Sequence, residues 1–297
     1  MEKYAIMFYT IRKAQAVSAA RSRLRLLIIL RGDKMMKRVL CALLLVFSSL
    51  IFFVSCNSSG GELDDAAVDN QGLKFYLKED GTYAVSLGDE SRFLSKIVLP
   101  ETYCGKPVNE FTYSLEQSGA DHEYIFNLQS ITISKSITKF NVKALRNCFK
   151  LVEVINHSEL DLSYLKDIVF DNWHQILEVH SDKSKIQNHN GYNFLTSNGI
   201  NYLLSYNGND KILTLPENYK GEPYQIADYA FYHNIGFTCI RFGRNVSKIG
   251  MNIIDVHPSM RYLESICYEG SEEEFFQIPG YEYILYVDPQ YNCAIYN

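Results

Sequence analysis

The chain has 297 residues, of which 47% are hydrophobic and 21% charged; this suffices for one or two domains with a buried core and excludes a disordered or collagen-like chain. The formal charge of −5 conceals an asymmetry: residues 1–56 hold ten Lys/Arg against only Glu2 and Asp33, which leaves 19 basic and 32 acidic residues, a charge of −13, in 57–297. A body this acidic argues against binding nucleic acid, because displacing counterions from phosphates needs basic surface.

Residues 1–34 read as an extension or as residues ahead of the true translation start at Met35 or Met36. Arg21-Ser22-Arg23-Leu24-Arg25 within them reads alternatively as a basic membrane-surface or nucleic-acid arm. Residues 35–56 have the layout of a signal peptide: basic Lys37-Arg38, sixteen uncharged and mostly apolar residues from Val39 to Val54, then Ser55-Cys56. The apolar run is shorter than the roughly 20 residues of a spanning helix. Phe53-Val54-Ser55-Cys56 resembles a bacterial lipobox, with Phe53 where Leu is usual. The resemblance implies cleavage before Cys56, acylation of that cysteine and a lipid-anchored protein of the bacterial cell envelope, in the outer membrane and exposed at the surface. An ordinary secretory signal and an uncleaved anchor with an incidental cysteine are the alternatives. Residues 57–70 combine Ser/Gly with Glu62, Asp64, Asp65 and Asp69 and lack periodicity, which describes a flexible tether.

The rest of the chain is written twice, as residues 71–187 and 188–297. Leu99-Pro100-Glu101-Thr102-Tyr103-Cys104-Gly105-Lys106-Pro107 returns as Leu215-Pro216-Glu217-Asn218-Tyr219-Lys220-Gly221-Glu222-Pro223, each copy after a strand-like apolar segment. Upstream of each lies a hairpin signal: Asp80-Gly81 between Leu73–Leu77 and Tyr83–Val85, and Asn198-Gly199 between Tyr192–Leu195 and Tyr202–Leu204. A shorter period follows. Leu128-x-x-Ile131-x-Ile133 leads to Ile137, Phe140, Ala144 and Cys148 before Leu151-x-x-Val154 starts again, and Phe237-x-x-Ile240-x-Phe242 and Leu263-x-x-Ile266-x-Tyr268 are further copies. Ile131 and Ile133 share one face of a short strand, while Ser130, Thr132 and Ser134 take the other. One such turn has too little apolar area to bury itself, so neighbours must stack into a solenoid.

Ser130-Ile131-Thr132-Ile133-Ser134 with Leu128 and Ser136-Ile137-Thr138, Ile226-Ala227-Asp228-Tyr229-Ala230-Phe231-Tyr232, and Tyr268-Glu269-Gly270-Ser271-Glu272-Glu273-Glu274 resemble BspA-like leucine-rich repeats over roughly residues 71–280. The resemblance implies a β-rich α/β fold: a leucine-rich repeat solenoid of short parallel strands with irregular or short helical returns, preceded by β-hairpin lead-in segments. It also implies adhesion or host interaction, with a host or extracellular protein or a glycan as partner. Strand alternation puts Ser130, Thr132, Ser134, Glu153, Arg241 and Glu269 on the outward face, the candidate binding surface. Residues 155–187 keep apolar positions without a clean repeat.

Chemistry is hard to find. No nucleophile elbow, dinucleotide fingerprint, Walker loop or His-Glu-x-x-His pattern occurs, and the expectation is a non-enzyme without cofactor or metal. His174, His180 and His189, with Asp171 or Asp182, could form a metal site or an enzyme centre, but their spacing matches no common pattern and exposed loop histidines are the simpler reading. Glu272-Glu273-Glu274 reads as a solvated charge run rather than paired catalytic carboxylates. Among Cys104, Cys148, Cys239, Cys267 and Cys293 an odd thiol must remain if all pairing is within the chain. Cys239 and Cys267 hold equivalent strand positions and could bridge; Cys148 takes the place where leucine-rich repeats carry a buried Asn or Cys. Tyr is frequent, with 22 residues. The cluster of Tyr202, Tyr206, Tyr219, Tyr224, Tyr229, Tyr232, Tyr281, Tyr283 and Tyr286 serves either core packing or an aromatic platform for a glycan, as in an accessory lipoprotein of an outer-membrane uptake system.

Overall fold

The computed structural model describes residues 67–113, 125–168, 176–232, 236–254, 263–285, 287 and 289–293. Cys56, the signal region and the histidine and aspartate at 174 and 171 lie outside them. The described residues are strand-rich with almost no helix. The first ten strands are β1 (Ala67–Val68), β2 (Leu73–Leu77), β3 (Tyr83–Leu87), β4 (Lys96–Val98), β5 (Thr102–Tyr103), β6 (Lys106–Phe111), β7 (Ser130–Ile133), β8 (Lys139–Phe140), β9 (Glu153–Asn156) and β10 (Glu178–His180). The nine that follow are β11 (Gln187–His189), β12 (Tyr192–Ser197), β13 (Ile200–Tyr206), β14 (Ile212–Thr214), β15 (Tyr224–Ile226), β16 (Cys239–Phe242), β17 (Val246–Lys248), β18 (Ser265–Tyr268) and β19 (Pro289–Gln290).

Each half of this series makes two sheets. In the first half, the antiparallel pair β2–β3 continues into parallel β6 and β8, while β4, β7, β9 and β10 form a second, wholly parallel sheet. The chain passes alternately from one sheet to the other. In the second half, the antiparallel pair β12–β13 continues into parallel β15 and β17, and parallel β14, β16, β18 and β19 make the partner sheet. The apolar positions of the repeat point between the two sheets, so Ile97, Ile131 and Val154 fill one core and Leu213, Ile240 and Ile266 the other, all 0–1% exposed.

The returns, expected to be irregular or short and helical, contain almost no α-helix and include brief strands. Among the described residues the one α-helix is α1 (Glu272–Phe275), and other returns are short 3-10 turns such as Val142–Leu145 or the brief strands β8 and β17. A return of four residues is too short to offset the cost of nucleating an α-helix, whereas a two- or three-residue strand gains ladder hydrogen bonds at once. Expectation and structure therefore part on the α component of the fold.

The duplicated Pro-Glu-x-Tyr frame has the same physical task in both copies. Backbone φ is positive at Cys104 and Gly105 (47° and 74°) and at Lys220 and Gly221 (56° and 83°), which turns the chain sharply after each tyrosine. That turn lays Tyr103 flat on Phe75, ring centroids 3.8 Å apart, and Tyr219 flat on Phe194 at 4.0 Å. Such stacks contribute about 0.5–1.5 kcal/mol beyond the area they bury. The Asn198-Gly199 hairpin forms as expected, with both residues at positive φ and Ser197 opposite Ile200.

The halves meet along a seam. Val152 and Leu177, each just ahead of a first-half strand, pack with Ile186, Leu195 and Leu204. Gln129 donates from Nε2 to the Leu204 carbonyl, Ser197 from its hydroxyl to the Leu177 carbonyl, and Lys150 from Nζ to the Tyr232 carbonyl at 2.6 Å. Elsewhere an exposed strand edge is closed by a side chain: the Gln71 amide accepts from the Val98 N–H and donates to its carbonyl, both at 2.9 Å, so β4 offers a foreign strand less to pair with.

Gly280 shows how tightly the C-terminal turn is set. Its φ is +86°, and a Cβ there would come within 1.9 Å of the Ile249 carbonyl oxygen. That oxygen is backbone, while the Ile249 N–H is already bonded to the Pro279 carbonyl. Gly280→Ala is expected to destabilise by more than about 2 kcal/mol, since the left-handed backbone alone costs an L-residue about 1–2 kcal/mol. Urea denaturation of the two proteins measures it, and an unchanged midpoint would refute the close approach.

Candidate functional site

The outward rows of the two parallel sheets are the surfaces that strand alternation offers to a partner. In the first half the register sets Lys96, Ser130, Glu153 and Glu178 side by side, with Val98, Thr132, Ile155 and His180 in the next outward row. Sequence alternation makes this face open, yet its centre around Glu153 is sealed, while Lys96 and Val98 at the β4 edge are exposed. Ser130, Ser134 and Glu153 are 3%, 7% and 0% exposed, and only Thr132 of the expected first-half residues is half-buried. Alternation correctly turns them away from the core. It does not foresee that the chain after β10 folds back onto Glu153, or that the Ser134 hydroxyl is turned onto the Pro100 carbonyl.

Glu153 is the centre of that cover. Its carboxylate accepts hydrogen bonds from the Ser130 hydroxyl (2.6 Å), the Ser184 hydroxyl (2.7 Å) and the Lys185 backbone N–H (2.6 Å), and it contacts His180 Nε2 at 3.2 Å. Burial by itself raises the pKa of this group, but the donors from Ser130, Ser184, Lys185 and His180 together outweigh it and hold the carboxyl below its ordinary range. Beside it, Lys185 Nζ pairs with Glu178 at 2.8 Å. The arrangement is a clamp that fastens residues 184 and 185 to the sheet, and its central carboxylate is out of reach of a macromolecule.

The matching face of the second half is open. Ile212, Cys239 and Ser265 form one outward row, and Thr214, Arg241, Cys267 and Gln290 the next. Every one of these is half-buried or exposed, with Ile212 at 45%. Arg241 thus stands on an open row, while Glu269 follows the end of β18, half-buried, with its N–H bonded to the Phe242 carbonyl. The six expected residues therefore do not make one surface. Ile212, Thr214, Cys239 and Ser265 were missed, although the same alternation applied to Ile212-Leu213-Thr214 and Cys239-Ile240-Arg241 would have found them.

The open face also settles the cysteine pairing there. Cys267 bonds to Cys293, and Cys148 and Cys239 are free. The bridge considered between Cys239 and Cys267 fails on register, because Cys239 lies opposite Ser265 and Cys267 opposite Arg241. An offset of two residues along neighbouring strands puts the Cα atoms about 8 Å apart, beyond disulfide reach. Cys148 is fully buried, and burial pushes its thiol far above the ordinary value, which makes it a packing group and a poor nucleophile.

Other sequence candidates are dispersed. His180 is engaged with Glu153, His189 is exposed with its ring edge-on to Tyr219, and Asp182 is exposed. Among the described residues no group of three His, Cys, Asp or Glu is placed to hold a metal ion. Glu272, Glu273 and Glu274 are exposed in the first turn of α1, where Ser271 and Glu274 cap each other. Of the clustered tyrosines, Tyr219, Tyr224 and Tyr229 are buried, Tyr202, Tyr206, Tyr232 and Tyr281 half-buried, and Tyr283 exposed; Tyr286 lies outside the described residues.

No helix among the described residues is long and apolar enough to cross a membrane. No protein-family model matches the chain, and no curated protein matches it. Among solved structures, the chain is similar to a leucine-rich cell surface protein from Faecalibacterium prausnitzii A2-165, at 11% sequence identity over 74% of this chain and 99% of that one, with a TM-score of 0.25. A TM-score this low marks a loose likeness.

Proposed function

We propose that this chain is a non-enzymatic binding module of the bacterial cell envelope. In this reading it is built as a solenoid of BspA-like leucine-rich repeats, held to the outer membrane by lipid on Cys56, and holds an extracellular protein on the outer rows of β14, β16, β18 and β19. The observation that supports the binding face is the contrast between the first outward rows: Ser130, Glu153 and Glu178 are buried, whereas Ile212, Cys239 and Ser265 in the corresponding row, and Arg241 in the next, are half-buried or exposed. A row carrying Ile212, Thr214, Arg241 and Ser265 offers apolar contact, hydroxyls and one fixed charge, a mixture common at protein interfaces.

The test has two arms. Cys56→Ala is expected to move the protein from the membrane to the soluble fraction, and protease applied to intact cells is expected to cleave the wild type. In the second arm, extracellular-matrix proteins are screened on immobilised protein, and Arg241→Glu with Ile212→Asp is expected to weaken a hit at least tenfold without lowering the melting temperature. Protection from protease on intact cells would remove the surface reading. A hit indifferent to the double substitution would remove this face.

A further inference from the structure

A second, chemically different surface lies on the seam. Strands β13, β15 and β17 run parallel, and their register places Tyr202 beside Gln225 and Gln225 beside Lys248. Leu203 and Ile226, the neighbours of Tyr202 and Gln225, are buried; in β17 the register shift leaves Ser247 as an extra residue, so exposed Lys248 comes to the side opposite buried Val246, and Tyr202, Gln225 and Lys248 form an outward row. Neighbouring strands are spaced about 4.8 Å apart, which delivers an aromatic ring, an amide and an ammonium in sequence. Opposite this row stand Phe149, Val152 and Leu177 from the first half, and the two sides enclose a cleft of about 50 Å³ with Asp228 at its rim.

The groups around the cleft narrow what it can hold. Asp228 accepts one hydrogen bond, from the Met251 N–H at 2.7 Å, and no ion pair within 4 Å is formed by it among the described residues. With the Met251 N–H on Oδ1 alone, the carboxyl has room for a further donor; burial raises its pKa, and the Met251 bond and the charge of Lys248 only partly oppose that. Phe149 is fixed from behind by a stack on Tyr229, centroids 5.0 Å apart, and Tyr229 holds a φ of +58°, rare for a bulky residue. One carboxylate and one ammonium cancel. A phosphorylated or sulfated ligand would meet Asp228, and a simple cation would meet Lys248. The volume is far below the roughly 300–1,000 Å³ of nucleotide or cofactor pockets.

A neutral ring edged with hydroxyls satisfies all of these conditions, because each hydroxyl both donates and accepts while the ring's C–H face covers an aromatic surface. We propose that the seam cleft is a sugar subsite that takes one edge of a neutral pyranose at the tip of a glycan, its ring against Phe149 and Tyr202 and its hydroxyls on Asp228, Gln225 and Lys248. This site is independent of the strand face around Arg241.

The experiment uses the protein with methyl hexopyranosides and N-acetylhexosaminides as probes in saturation-transfer NMR, followed by an array of neutral and charged glycans. Millimolar binding of at least one neutral sugar is expected, weakened at least tenfold by Asp228→Asn and by Lys248→Ala, and unchanged by Arg241→Ala. Asp228→Asn keeps an acceptor for Met251, and Lys248 is exposed, so melting temperatures within a few degrees of wild type are expected to accompany the loss. Absence of binding by any neutral sugar, preference for sulfated or amino sugars, or binding that survives both cleft variants would overturn the proposal. Failure of Arg241→Ala to affect a protein partner would bear on the strand face alone.

Discussion

Glu153→Ala is expected to destabilise the protein by about 3–5 kcal/mol. The side chain is 0% exposed, and its removal leaves the Ser130 and Ser184 hydroxyls, the Lys185 N–H and His180 without their shared acceptor. Glu153→Gln is expected to cost less, about 1–2 kcal/mol, because both serine hydroxyls can rotate to accept from the new amide while its oxygen still serves Lys185. Urea denaturation of the three proteins tests the order. Equal midpoints for Ala and wild type would mean that residues 184 and 185 are not held by this carboxylate.

The same group fixes a sign for acid. Its folded pKa lies below the ordinary 4.5, so the folded state binds fewer protons than the unfolded chain near that value. The stability it contributes is fully present above the ordinary value and is lost as pH falls through it toward the lower folded one. Glu153→Gln is therefore expected to flatten the acid limb of stability against pH.

Much of the architecture is legible because it is repeated. The Tyr103 and Tyr219 frames can be aligned without a structure, and their matching positive-φ turns and Phe–Tyr stacks go with the Gly two residues after each tyrosine. Inward residues such as Ile131 and Ile240 are equally readable from period-two alternation. What alternation lacks is any term for tertiary cover. It assigns Glu153 and Arg241 to the same kind of position, yet a fold-back after β10 buries one and nothing among the described residues buries the other. The row of Tyr202, Gln225 and Lys248 is invisible for a related reason. It exists only through the register of three strands that are far apart in sequence, with a register shift between Tyr224 and Gln225.

Lys150 is the second place where burial sets a large and measurable effect. It is 5% exposed, its ammonium reaches the Asn127 side-chain oxygen at 2.9 Å and the Tyr232 carbonyl at 2.6 Å, and it meets no carboxylate within ion-pair distance among the described residues. Burial pulls its pKa down to about 7 from 10.5. Between these two values the unfolded chain holds a proton that the folded protein has released, so stability rises with pH, by up to about 1.4 kcal/mol per unit. Below about 7 both states are protonated and the slope from this group vanishes. The buried thiol of Cys148 acts in the opposite sense once unfolded thiols begin to ionise near 9, which makes pH 7 to about 8.5 the clean window. Lys150→Met is expected to abolish the rise in that window. Its effect on stability at pH 6 is a smaller difference, because relief of a buried charge is offset by loss of the bonds to the Asn127 and Tyr232 oxygens, at about 1–3 kcal/mol each. Urea midpoints at half-unit steps of pH decide it: the same upward slope in wild type and Lys150→Met would mean that the ammonium is not shut into the seam, and that the contact between the halves is looser than the Tyr232 bond implies.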